Sequence, residues 1–282
     1  MVELRLEAIG PFNHRAVLAM LTAHAVPGVE AVDGAVYRRL ISDGGGSEAR
    51  PVLIELVFDP HGLTARFDAE LRDPHGTAAM LRRWFDLDAD IAAIDAALSP
   101  DPLLGPMIAR HPGVRITGHP DEFEAVAAAI IGQQVSLAAA RTFSSRLAAA
   151  FGAVAGAWRS LPTAAALADA GPERIRSQVG LTGARARALH EVAKRWAGGP
   201  LLAGTSAAEA REALLAIPGV GPWTADCLLV RAMQHPDTFV PGDLVARRAL
   251  GMDQKQAAAR SETWAPYRSY ALLQLWTHAS YL

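Results

Sequence analysis

The segment Leu214-Leu-Ala-Ile-Pro-Gly-Val-Gly-Pro-Trp-Thr-Ala-Asp-Cys227 constrains the fold more than any other stretch of the chain. An apolar helix runs into Pro-Gly-Val-Gly, which cannot continue it. Gly219 and Gly221 open backbone conformations closed to other residues and let a ligand come close. Pro222 suits a first helical turn, where its missing N–H is not needed. A helix, a tight turn and a second helix from about Pro222 are therefore expected. The free amides at the second start form a ready anion site. An ordinary helical hairpin with a glycine turn is the plainer reading.

Seventeen positions after Pro222 comes Phe239-Val-Pro-Gly-Asp-Leu244, a loop that holds an acid behind a proline. Asp243 precedes Leu-Val-Ala-Arg-Arg and is a favoured helix N-cap. A reactive carboxylate is the alternative, and the two roles are compatible.

The rest of the sequence sets limits on function. Of 282 residues 51% are hydrophobic, enough for a sizeable core. The single cysteine, Cys227, excludes an intramolecular disulfide, a four-thiolate zinc site and a four-cysteine iron–sulfur cluster. The nine histidines lack metal-ligand spacing. No apolar run reaches membrane length and the N-terminus lacks a signal-peptide pattern, so a cytoplasmic protein is expected. Net charge is −2, divided as −6 over residues 1–110 and +4 over residues 111–282. Any polyanion-binding face belongs to the second part.

Residues 1–73 read as mixed α/β. Residues 2–6 alternate, residues 52–58 form a buried strand and residues 63–67 a further alternating one. Between them Val17, Leu18, Leu21 and Ala25 make one stripe of a helix over 13–25. Residues 44–47 read as a hairpin loop, and Asp59-Pro-His-Gly and Asp73-Pro-His-Gly as turns. From Thr77 the chain reads helical almost to its end. Asp121, with Glu124 three residues on, predicts a capping-box variant over a helix to about 131. Ser136 caps the next, to about 151, and Ser206 with Glu209 opens another to about 216. Shorter helices are expected near 163–170, 172–179 and 185–197.

The hairpin followed by Val-Pro-x-Asp at this separation resembles the helix-hairpin-helix DNA glycosylase superfamily, and within it the 3-methyladenine DNA glycosylase II (AlkA-type) family. Ala129-Ile-Ile-Gly-Gln-Gln-Val-Ser136, Gly180-Leu-Thr-Gly-Ala-Arg-Ala-Arg187 and Trp264-Ala-Pro-Tyr-Arg-Ser-Tyr-Ala-Leu-Leu-Gln-Leu-Trp276 support this. The resemblance is specific over 111–282 and weaker over 1–110. It implies an α+β fold: an N-terminal antiparallel sheet domain with helices (1–97), a helical domain with the hairpin (122–235) and a second helical domain (98–121 and 236–282). It implies hydrolysis of the N-glycosidic bond of a flipped, alkylated base in double-stranded DNA. No nucleotide cofactor or membrane is involved, and the protein is a monomer in a bacterial cytoplasm, with the nucleoid. The alternatives are a glycosylase of the same fold for deaminated or oxidised purines, and a non-catalytic lesion- or DNA-binding module.

By family position Asp243 is the catalytic carboxylate. Trp223, Trp276, Gln133, Met20 and Leu244 belong to the substrate pocket. Gly219, Val220, Gly221, Thr224, Gln134, Arg247 and Arg248 belong to the DNA contact, with Arg268 as a further helper. The backbone carbonyls of Leu215, Ile217 and Val220 would hold a monovalent cation, Na⁺ or K⁺; no cofactor is otherwise required. Bifunctional relatives carry a lysine where this chain has Trp223, which implies no lyase activity. Two departures stand out: Gln134 replaces an intercalating leucine, and Cys227, read as a packed thiol, replaces a pocket tyrosine.

Overall fold

A computed structural model describes residues 2–44 and 50–282. Most of the predicted loop at 44–47 lies outside the described residues.

Five strands form one antiparallel sheet: β1 (Val2–Glu7), β2 (Glu30–Asp33), β3 (Val36–Asp43), β4 (Arg50–Asp59) and β5 (Gly62–Phe67), in the order β1-β5-β4-β3-β2. The alternating residues of β4 and β5 bury Ile54, Leu56, Leu63 and Phe67 beneath α1 (His14–His24) and α2 (Pro74–Trp84). Asn13 caps α1, its side chain accepting the Ala16 amide. Sequence reading missed β2 and β3, because Arg38 and Arg39 interrupt the apolar alternation of β3. Arg39 is nonetheless only 2% exposed, opposite Ile54 in the β3–β4 register.

The two Asp-Pro-His-Gly segments part company. At 59–62 Asp59 turns its carboxylate to the His61 amide and the chain closes a hairpin between β4 and β5. At 73–76 Asp73 accepts from the Gly76 amide, Pro74 takes the first helical turn and α2 begins, so the predicted second turn is a helix start.

The remaining helices are α3 (Ile91–Leu98), α4 (Leu104–Arg110), α5 (Glu122–Gly132), α6 (Leu137–Phe151), α7 (Ala164–Ala170), α8 (Pro172–Val179), α9 (Gly183–Trp196), α10 (Ala207–Leu215), α11 (Pro222–Arg231), α12 (Leu244–Leu250), α13 (Gln254–Ser261) and α14 (Arg268–Ser280). A two-residue ladder pairs β6 (Val154–Ala155) with β7 (Trp158–Arg159). Ser206 and Glu209 make the reciprocal capping box at α10. At α5 only half of the box forms. Asp121 accepts the Glu124 amide, but the Glu124 side chain leaves the cap for Arg39, at 2.6 and 2.8 Å.

Helices α5 to α11 surround one core, running from Phe123 to Leu229. Another is built by α3, α4 and α12–α14 with Phe239 and Val240. Ile91, Ile94 and Leu98 pack there, so α3, expected with the sheet domain, belongs with the second helical core. The hairpin helix α11 serves both cores: Leu228 and Leu229 face one, Cys227 and Val230 the other. A helix buried on all sides from Thr224 to Val230 is a shared wall, and its N-terminal end opens on the seam. Among the described residues no helix is long and apolar enough to cross a membrane.

Candidate active site

The hairpin turn depends on one of its glycines. Gly219 has φ +90°, and a Cβ there would stand 2.7 Å from the Ala188 Cβ of α9. Gly221 is extended (φ −95°, ψ 177°), and a Cβ would meet nothing within 4 Å. The expectation that both need glycine for their backbone is corrected for Gly221, whose lack of a side chain only leaves open space before the amides of α11.

Gln133 ends α5 and turns its side chain into this hairpin. Its Nε2 donates to the Gly219 carbonyl (2.9 Å) and the Thr224 hydroxyl (3.0 Å). Gln133 therefore braces the hairpin, its amide N–H groups being spent there, and it is not among the residues lining the cavity beside Asp243. Thr224 is 3% exposed with its hydroxyl turned inward, which corrects the expected DNA contact for that side chain. Arg185 of α9 donates to the Gln133 carbonyl. The next residue, Gln134, is exposed in the left-handed region at φ +52°.

Asp243 caps α12. Its Oδ1 accepts the Ala246 amide (2.9 Å) and the Trp276 indole N–H (2.8 Å). Oδ2 accepts nothing from the described residues, and the side chain is 8% exposed. A cavity of about 400 Å³ opens beside it. Trp223 and Cys227 of α11, Trp276 of α14 and Met20 of the sheet domain share its lining, so all three cores meet there. Leu244 does not line it; it is 52% exposed, and Val245 takes the place expected of it. With Asp243 folded over the first turn of α12, the next residue is rotated by ~100° towards solvent.

Trp223 is 37% exposed at the second position of α11. Trp276 is more engaged than a stacking platform: its N–H fixes Asp243, and the Arg231 guanidinium lies 5.6 Å from its ring centre. Burial pushes the Cys227 thiol well above its ordinary range, which keeps it unreactive. Arg248 is exposed on α12, and the Nε of Arg247 is buried without a partner. Arg268, expected as a helper, is held by Asp237 (2.8 and 2.9 Å) and Glu262 (2.9 Å), which removes it from the list of free cations.

Sequence reading missed His24, Arg231, His119 and Tyr281, which also line the cavity. A signal existed for two of them. His24 follows Met20 by four residues and Arg231 follows Cys227 by four, which puts each one turn further along the same helix face. His24 meets the Tyr281 hydroxyl at 2.8 Å. Burial, then the charges of Arg231 and Arg141, push His24 down to about 4. Burial, then Arg231 and Arg39, push His119 down to about 3.

These two histidines stay neutral in the folded protein where the unfolded chain binds protons. Their contribution to stability is complete above about pH 6.5 and is lost as pH falls towards about 4, by about 2 kcal/mol each once contact with cavity water is discounted. Thermal melts between pH 7.5 and 4.5 should show the midpoint dropping, and dropping less in a His24→Gln/His119→Gln double variant. Equal slopes would assign the acid loss to other groups.

Residues 3–121 match the family model of the AlkA N-terminal domain, and residues 127–263 that of the HhH-GPD superfamily base excision DNA repair proteins. The chain is 32% identical over 274 residues to DNA-3-methyladenine glycosylase 2 of Escherichia coli, covering 94% of both. It is 36% identical over 289 residues to a probable bifunctional transcriptional activator/DNA repair enzyme AlkA of Mycobacterium tuberculosis, over 98% of this chain but 57% of that longer relative. The solved 3-methyladenine DNA-glycosylase of Archaeoglobus fulgidus superposes with a TM-score of 0.85 over 99% of this chain and 98% of its own, at 22% identity, a likeness of fold. The sheet domain, the hairpin and the acid loop thus fall within two adjoining family matches, and the chain belongs to the DNA-3-methyladenine glycosylase 2 (AlkA) family of the HhH-GPD superfamily.

Proposed function

We propose that the chain is a monofunctional DNA glycosylase that hydrolyses the N-glycosidic bond of alkylated bases, of the 3-methyladenine and 7-methylguanine type, in double-stranded DNA. The observation that carries this reading is the Asp243 carboxylate. One of its oxygens is pinned by Ala246 and Trp276, and the other is free at the wall of a cavity large enough for a nucleobase.

Loss of a base leaves positive charge on the deoxyribose, as in glycoside hydrolysis. A preorganised anion beside C1′ stabilises that charge best in a dry pocket and can orient the attacking water. The target nucleotide must leave the stack, at a cost of a few kcal/mol that damaged pairs lessen. Gln134, exposed one residue before Val135 of the cavity wall, fills the gap. A cationic alkylated purine stacks on Trp223 and Trp276, a cation–π attraction of ~0.5–2 kcal/mol. The amides of Gly221 and the first turn of α11 hold a phosphate, helped by Arg247 and Arg248, while the Val220 amide is spent on the Ile217 carbonyl. The enzyme works as a monomer with the bacterial nucleoid.

The turn also suits a monovalent cation, Na⁺ or K⁺. Its candidate donors, the carbonyls of Leu215, Ile217 and Val220, are neutral oxygens. The Ile217 carbonyl accepts the Val220 amide (3.0 Å), while the other two accept no backbone amide of the turn. Such an ion would add positive charge where the DNA backbone approaches.

Incubation with methylated duplex DNA tests the function. Free methylated bases should appear, and strand breaks should require heat or alkali, because Trp223 stands where a lyase carries lysine. Breaks without either treatment would refute the monofunctional reading, and release of no base would refute the glycosylase.

A further inference from the structure

Helix α14 carries Trp276, the tryptophan that fixes Asp243, and the sheet domain fastens this helix at both ends. Near its start the Tyr270 hydroxyl donates to Oδ2 of Asp86 (3.1 Å). Just past its end the Tyr281 hydroxyl meets His24 Nε2 (2.8 Å). The two tyrosines are about three turns apart and so lie on one face, while Trp276 points from another. Each partner is itself held. Asp86 stands in the left-handed region at φ +54°; Arg115 donates to its carbonyl, and its Oδ2 also accepts the Ile116 amide (3.3 Å). The Ala25 carbonyl, next to His24, accepts from Arg141 Nε (2.7 Å). Leu272, Leu273 and Leu275 bury the helix in its own core. Apolar burial is non-directional, so it sets the depth of α14 and leaves its rotation to directional bonds. The two family matches end at residues 121 and 263, short of this helix.

We infer that Tyr270 and Tyr281 are positioning residues through which the sheet domain sets the catalytic carboxylate. This rests on the glycosylase reading of Asp243. Of the two bonds on Oδ1, the Ala246 amide belongs to α12, the helix that Asp243 caps, and moves with it. The Trp276 indole is the one partner, among the described residues, that ties the carboxylate to another helix. A rotation of α14 would draw the indole away and free the carboxylate to swing on its own side-chain torsions. A reacting group displaced by about 1 Å can cost about a hundredfold in rate. Tyrosine suits such a tether, because its ring packs as phenylalanine would and its hydroxyl adds a fixed direction. The tether acts on the reaction and not on the affinity for DNA, since the hairpin amides that take the phosphate belong to α11.

The test compares Tyr281→Phe, Tyr270→Phe and the double variant with the wild type at pH 8. Burial raises the Asp86 carboxyl to about 6, so it accepts from Tyr270 as an anion there. Single-turnover release of 7-methylguanine should fall by about 3- to 10-fold in each single variant, the worth of a hydrogen bond, and further in the double. Affinity for a duplex bearing an abasic-site analogue should change by less than about twofold. The indole N–H proton signal of Trp276, assigned with Trp276→Phe, should move upfield as its bond to the carboxylate lengthens. His24→Gln, which can still pair with the hydroxyl, should slow release less than His24→Leu. In an Asp243→Asn background Tyr281→Phe should slow release no further. If Tyr270→Phe melts too low to assay, Tyr281→Phe alone decides. Unchanged release or an unmoved indole signal in Tyr281→Phe, or an equal loss of rate and of DNA affinity, overturns the assignment and leaves the tyrosines as packing. A wild-type chain that releases no base defeats the Asp243 reading and the positioning role with it, and the indole signal then tells whether the tether itself exists.

Discussion

Asp243→Asn should slow base release by about 10³-fold or more while leaving affinity for duplex DNA unchanged. The substitution is close to a pure charge removal. Asparagine caps helices as well as aspartate does. Its carbonyl oxygen can still accept from the Ala246 amide and the Trp276 N–H, the two bonds that fix Oδ1 now. The fold, the indole orientation and the hairpin therefore survive, and the negative charge at the cavity wall does not. Asp243→Ala is the informative contrast, since it should also lose about 1 kcal/mol of stability with the cap. Single-turnover release gives the rate, and anisotropy with a duplex bearing an abasic-site analogue gives the affinity. A variant that releases bases at the wild-type rate would leave Asp243 as a helix cap and nothing more.

What the sequence disclosed, and what it hid, divides along the range of the interactions. Elements fixed by local chemistry were legible. The Ser206–Glu209 box, the Pro222 helix start and the alternation of β4 and β5 are set by neighbours a few residues away, and the structure has all of them. The second Asp-Pro-His-Gly was misread because four residues of turn chemistry permit either a hairpin or a helix start, and the following Thr-Ala-Ala-Met decides. β3 was missed because Arg39 is charged, and its burial rests on the bidentate bond to Glu124, 85 residues away, with Glu30 as a second partner. The same holds in the site. The capping role of Asp243 was legible through the loop around it. The direction of Gln133 depends on where Gly219 and Thr224 come to rest, and the bond from Trp276 to Asp243 joins residues 33 apart that a sequence does not pair. Leu244 failed for a simpler reason: a capping side chain and its successor cannot both face one cavity.

Removal of Arg39 should cost more stability than any surface change, about 3–5 kcal/mol. Its guanidinium holds Glu124 across the junction of sheet and helices and reaches Glu30 at 3.3 Å, and Glu30 in turn accepts the Tyr37 hydroxyl. Arg39→Met leaves two poorly solvated carboxylates without their cation. Burial already pushes the Glu124 carboxyl up, and Arg39 is the main force against it. Without that cation the folded protein takes up a proton that the unfolded chain, with an ordinary carboxyl, releases. The deficit should therefore be smallest near pH 5 and grow as pH rises towards 8. An Arg39→Met/Glu124→Met double variant removes both charges and should recover most of the loss, because the penalty lies in the unanswered carboxylate and not in the missing bond. Denaturant melts of the two single variants and the double, at pH 5 and pH 8, measure the coupling. A double variant no more stable than Arg39→Met, or a deficit that does not change with pH, would show that Arg39 acts through its packing against Trp84, 5.6 Å from its guanidinium, and that the ion pair does not hold the sheet domain to α5.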